Sequence, residues 1–278
     1  MDNLYEKKNY LNPIPYLFSD IREYDISKAN INILFAKGII DEDKYKYLYN
    51  LPRMDRQYTI GNMCKNKDIQ DALDSGLIEF KKLFFETNDI GYQDVLSIKN
   101  DAIFLINKVP RFTSFGNVQF LEKNHYISYM KVFDTELYYS LNRVTGEEKI
   151  DVKGISDEKL EKYHLNYMLD FLCYIFNTIQ TDGIDKAIND LHYFYNNYVS
   201  RKLDIGYYRE FNAMSLFRIS INITNRLVSV NPQLQKDIGL EYVNDNDEYR
   251  KYINISYNMN YLRTIWSYLT SIHYDKRI

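Results

Sequence analysis

The chain has 278 residues, 45% hydrophobic and 16% aromatic, which is apolar material enough for one sizeable core or two smaller ones. Its 35 basic and 38 acidic side chains leave a net charge of -3, so no global field draws nucleic acid or a membrane surface, and binding of either kind must come from a local basic patch. The two cysteines, Cys64 and Cys173, lie outside any CxxC or zinc-ligand spacing, which excludes a disulfide framework and a zinc site and reads both as inert thiols.

Residues 1–18 carry Pro13 and Pro15 without a clear period and form an N-terminal arm. The arm lacks the apolar core of a secretory signal, and no apolar stretch reaches the roughly 18 to 20 residues that span a bilayer. The expected location is the cytoplasm, with no membrane contact. "IREYDI" (21–26) alternates as a strand, and the helix that follows it is closed by Gly38. Acidic "DED" opens a second helix that Pro52 ends, and two further helical segments run to about Asn88. Strand signals return at Val95 with "VLSI" and "AIFLIN" as a hairpin, then "NVQFLE", "HYISYMKVF", "TELYYSL" and "EKIDVKG", with a turn over 142–148. From Ser156, a candidate helix cap, the pattern is helical over 156–180, 184–201, 205–229 and 246–271.

These elements predict an α+β chain. A small antiparallel sheet occupies 19–155 with a helical insertion at about 41–89, and an all-helical region follows over 156–278. Tyr and Phe clusters such as "LHYFYNNYV" and "YLRTIWSYL" suit a core or a base-stacking platform. Arg201, Lys202, Arg209, Arg218 and Arg226 suit a solvated face or a phosphate groove.

Two carboxylates carry the chemical argument. Asp25 and Asp101 each lie at a polar break beside buried strand, where desolvation penalises the charged form unless a positive partner compensates. Neighbouring strands would bring them together, and two adjacent carboxylates either share a proton or hold a divalent cation, for which Mg²⁺ or Mn²⁺ is the expectation. Asp25 also suits a helix cap and Asp101 a hairpin turn. The four histidines form no HExxH or HxH, and GxGxxG, GxxxxGK[ST] and GxSxG are all missing. That removes most of the weight from zinc hydrolases, Rossmann enzymes, P-loop enzymes and serine hydrolases.

"EYDISKANINILFAKGII" resembles the first palm motif of family B DNA polymerases, and "VLSIKNDAIFLIN" is similar to their third, as in a reduced, phage-type member. "RMDRQYTIG" holds Arg53 eight positions before Gly61, the Lys-to-Gly spacing of the family's middle motif, and "KIDVKGIS" looks like the passage from palm to thumb. The resemblance covers about 19–155 and implies a palm domain, helical fingers and a helical thumb-like region. It also implies template-directed nucleotidyl transfer by two metal ions held by Asp25 and Asp101. Arg53 and Arg56 would contact the triphosphate of a nucleoside triphosphate, and Lys153 the primer backbone. Asn30 stands where the family has the tyrosine that excludes a 2′-hydroxyl, which implies acceptance of ribonucleotides, as in a primase. Asn100 replaces the first Asp of the third motif, and "QYTIG" departs from the middle motif. Two other readings stay open: a catalytically inactive accessory protein that binds nucleic acid or a replication or transcription protein, and a purely structural viral protein.

Overall fold

A computed structural model describes residues 3–142, 144–154, 165–200, 202–203 and 255–275. The expected α+β class is observed: among the described residues ten strands and seven α-helices form two compact units. The first unit comprises 1–14 and 18–128, and the second 15–17 and 129–278. The strands after residue 128 therefore belong with the C-terminal helices and not with the first sheet, so the second unit is itself mixed.

In the first unit a six-stranded antiparallel sheet runs in the order β1 (Asn9–Leu11), β4 (Val95–Lys99), β5 (Ala102–Ile106), β3 (Ile21–Ile26), β7 (Val118–Tyr126) and β6 (Ser114–Phe115). The arm is thus partly ordered as an edge strand, where its lack of a clear period matters least. One face of this sheet is covered by α1 (Ala29–Ala36) and α4 (Lys67–Thr87), with α2 (Glu42–Asn50) and α3 (Arg53–Met63) between them in the chain. Asp41 caps α2, accepting from the Lys44 amide at 2.8 Å, and Asn66 caps α4, accepting from the Asp68 amide.

The register of β3 fixes what enters this core. Tyr24 and Ile26 point toward α4, where the Tyr24 and Phe84 rings lie 5.9 Å apart and Phe84 stacks on Phe120 at 4.2 Å. Helix α4 supplies Leu73, Gly76, Leu77, Phe80, Lys81 and Phe84 at three- and four-residue spacing. Gly76 lets α1 approach: a Cβ there would meet Ile33 Cγ2 at 2.4 Å.

Lys81 is the exception on this apolar face. It is fully buried, and its Nζ donates to the Lys7 carbonyl at 2.7 Å. Burial pushes the ammonium down to about 8, with the Asp101 carboxylate acting in the opposite direction and Lys8 adding to the fall.

In the second unit the sheet order is β10 (Glu148–Lys153), β9 (Thr135–Leu141), β8 (Ser128–Val132) and β2 (Tyr16–Leu17). It is joined by α5 (Leu165–Thr181), α6 (Ile184–Val199) and α7 (Ile255–Asp275). Ring stacking ties these parts together, Tyr139 on Phe176 at 5.4 Å and Phe171 on Phe194 at 3.6 Å. Asn258 donates to the Tyr198 hydroxyl within the α6–α7 contact. The expected helix start at Ser156, the helix over 205–229, the first part of that over 246–271, and Arg201, Arg209, Arg218 and Arg226 lie outside the described residues.

Two outcomes follow from this packing. Gly76→Ala adds roughly 1 kcal/mol of helix propensity but forces overlap with a branched side chain near its stem, which costs about 1 to 3 kcal/mol. The melting temperature should fall, and Ile33→Ala should recover part of the loss; a rise in the single variant contradicts the contact. For Lys81 the folded pKa lies below the unfolded one, so the unfolded chain binds more protons between about pH 8 and 10.5. Wild-type stability relative to Lys81→Met should therefore increase by about 1 to 3 kcal/mol across that window in urea titrations, and a constant difference would show that the ammonium is solvated.

Candidate functional site

The two carboxylates singled out by sequence lie on adjacent strands. β3 pairs with β5 so that Asp25 faces Ala102, and Asp101 is the next residue, in the two-residue turn between β4 and β5 whose Asn100 has φ +57°. Asp101 belongs to the turn, so its side is given by what it lines, and Asp25 is absent from that lining. Asp25 lies between the inward Tyr24 and Ile26 and points away from the helices. Asp101 points toward them, into a cleft lined by α1 and α4. The structure therefore places the strands side by side as expected, but does not bring the two carboxylates to one face.

Each acid has its own surroundings. The register of β3 against β7 shifts between Glu23 and Tyr24, leaving Lys123 as the extra residue of a bulge. Its ammonium forms an ion pair with Asp25 Oδ2, while Asp25 Oδ1 is buried with no hydrogen-bond partner. A lysine of this chain thus occupies the place assigned by the sequence argument to a cation. Asp25 does not cap α1 either; that position is held by Lys28, in a left-handed conformation. On the same side of β3 as Asp25, Glu23 accepts from Tyr126 Oη at 2.9 Å and from Asn124 at 2.6 Å.

Asp101 and Asn30 do share one site. A cleft of about 210 Å³ is lined by Lys8, Ala29, Asn30, Ile33, Cys64, Gln70, Leu73, Asp74, Leu77, Asn100 and Asp101. Lys8 and Asp74 form an ion pair at 3.0 Å beside it, and the Asn100 amide donates to the Lys8 carbonyl at 2.7 Å. The pair lowers the Asp74 pKa, with the Lys8 hydrogen bond as the largest cause. Among the described residues Asp101 receives only a long 3.5 Å contact from Asn100 Nδ2. Burial pushes the Cys64 thiol up, as does the Asp74 carboxylate, so Cys64 is the inert thiol expected. Among the described residues no group of three or more His, Cys, Asp or Glu side chains is arranged to hold a metal ion.

Arg53 and Arg56 stand apart from both acids, on α3. That helix buries Ile60 and little else: Arg53, Met54, Asp55, Gln57, Tyr58, Gly61 and Asn62 are all exposed. Arg56 donates to the Leu51 carbonyl at 3.2 Å. Residues 44–67 hold Lys44, Lys46, Arg53, Arg56, Lys65 and Lys67 against the single carboxylate of Asp55, a local excess of five positive charges. The acids that precede them, Asp41, Glu42 and Asp43, are gathered at the start of α2. Lys46 is paired with Glu42, but Lys44, Arg53, Arg56, Lys65 and Lys67 have no carboxylate within ion-pair distance among the described residues. Interleaved with them are Tyr47, Met54 and Tyr58, exposed by 61%, 75% and 75%, and Tyr49, whose ring already carries the Lys28 ammonium at 3.1 Å from its centroid. Lys153 lies in the second unit, opposite Glu136 in the β9–β10 register.

Sequence reasoning missed Lys8, Asp74 and Lys81. Lys81 left a signal, a lysine pair inside the apolar run "FKKLFF"; Asp74 left none, because an exposed-looking helix acid has no special pattern. Among the described residues no helix is long and apolar enough to cross a membrane. No curated protein matches the chain. A family model described as Bacteriophage PBS1 gene 130 protein matches residues 1–271, nearly the full length, and the chain belongs to that family.

Proposed function

We propose that the protein is a nucleic-acid-binding accessory protein of a phage, which holds a single strand on the exposed basic and aromatic surface of α2 and α3. The observation that carries this reading is α3 itself: a helix with one buried residue, unpaired cations and two large exposed side chains, Met54 and Tyr58, one turn apart. Phosphates are attracted by Lys44, Arg53, Arg56, Lys65 and Lys67, which no carboxylate pairs among the described residues, while Tyr47 and Tyr58 offer faces on which bases stack. Aromatic stacking suits any base, and the lysines and arginines track the backbone without reading sequence.

The catalytic alternative, a template-directed nucleotidyltransferase that holds Mg²⁺ between Asp25 and Asp101 and accepts ribonucleoside triphosphates, keeps the support of motif order and of adjacent strands. It needs both carboxylates on one cation. The opposite faces of the two side chains and the Lys123 ion pair weigh against it and favour the accessory reading.

Fluorescence anisotropy with a short labelled single strand tests the proposal. Affinity should fall steeply with salt, and removing one phosphate-binding charge, as in Arg53→Ala or Lys65→Ala, should reduce the slope of log K against log salt by about 0.7. Tyr58→Ala should weaken binding by about 5- to 100-fold, the range of a lost base stack. Binding indifferent to salt, or unchanged in all three variants, would overturn the reading.

A further inference from the structure

The cleft beside α3 has a chemistry the strand-binding surface does not use. Its accessible lining is mainly polar, from Lys8, Asn30, Gln70, Asn100 and two carboxylates, Asp74 and Asp101, with the buried Ile33, Leu73 and Leu77 behind them. Asp74 is satisfied by Lys8. Asp101 is not: among the described residues no hydrogen bond but the long contact with Asn100 reaches it, and it is half-buried within electrostatic reach of the Lys81 ammonium. A carboxylate left with open lone pairs at the wall of a cleft is an acceptor prepared for a donor from outside. Cys64, the residue that closes α3, lines the same cleft, so the cleft adjoins the C-terminal end of α3.

We infer that this cleft is a base pocket, in which Asp101 accepts from the Watson–Crick edge of guanine. The inference rests on the strand-binding proposal for its macromolecular ligand, though not for its chemistry. A carboxylate is a planar pair of acceptors and matches two N–H donors lying side by side. Guanine presents that pair at N1 and the 2-amino group. Adenine and cytosine set an acceptor nitrogen beside their amino group, and thymine and uracil flank a single N–H with carbonyls that a carboxylate repels. The guanine O6 then needs a donor, and Lys8, anchored on the same cleft by Asp74, supplies one. The polar walls supply the contacts, and about 210 Å³ suits one planar heterocycle.

The test uses the full chain and four labelled strands identical except for one central G, A, C or T in a thymine run, with a fifth strand carrying N1-methylguanine and guanosine monophosphate as a free ligand. The G strand should bind about 10- to 100-fold more tightly than the A, C and T strands, the worth of hydrogen bonds to a charged acceptor. N1-methylguanine, which alters only the probe, should lose that advantage on unmodified protein, and Asp101→Asn should lose it while keeping the general salt-dependent binding. Equal binding of all strands overturns the pocket and leaves the strand surface standing. If no strand binds but guanosine monophosphate does, and Asp101→Asn abolishes it, the pocket stands with a free nucleotide as its ligand and the strand-binding reading falls. If neither binds, both fall.

Discussion

The first unit is organised by the register of one strand. Tyr24 and Ile26 must enter the core, because Phe84 of α4 packs between Tyr24 and Phe120, and strand alternation then turns Glu23 and Asp25 to the opposite face. A slip of one residue would put two carboxylates under α4 in place of two large apolar side chains, leaving both acids without their partners. The bulge at Glu23 and Tyr24 preserves this register and spends its extra residue, Lys123, on Asp25. The distribution of chemistry follows: Asp25 is ion-paired to Lys123 on one face of the sheet, while Asp101 lines the cleft beside α1 and α4.

The second consequence concerns α2 and α3. Helix α2 is anchored to α1 by the Phe35–Tyr45 stack at 4.4 Å and by Tyr45 donating to Asn32. Helix α3 buries Ile60 fully and is otherwise anchored only near its end, where Met63 and Cys64 pack against the core. An amphipathic helix that leaves Met54 and Tyr58 in water forgoes burial worth roughly 1.5 to 3 kcal/mol per side chain. The proposed strand-binding role accounts for a surface that folding does not.

Much of the fold was legible in the sequence. Alternation in "IREYDI" marked β3, the apolar pair around Asn100 and Asp101 marked the hairpin, and Asp41 and Pro52 bounded α2. These are local signals, set by side-chain period, capping and proline. What stayed hidden depends on pairing between distant segments. Nothing near Asp25 shows that its strand neighbour in register is Ala102 and not Asp101, and nothing near Lys123 shows that a bulge aims it back across one hundred residues of chain. The edge strand at Asn9–Leu11 and the short β2 were invisible because two or three residues hold no period. Arg53 and Arg56 were noticed through a motif spacing, yet it is exposure, which sequence does not display, that gives their helix its proposed role.

The most direct measurement is photocrosslinking of a bromouracil-substituted single strand to the protein, with the attached peptides mapped by mass spectrometry. The account predicts crosslinks at Tyr47, Met54 and Tyr58 on α2 and α3. Crosslinks confined to other segments, with this surface unmarked, would contradict it.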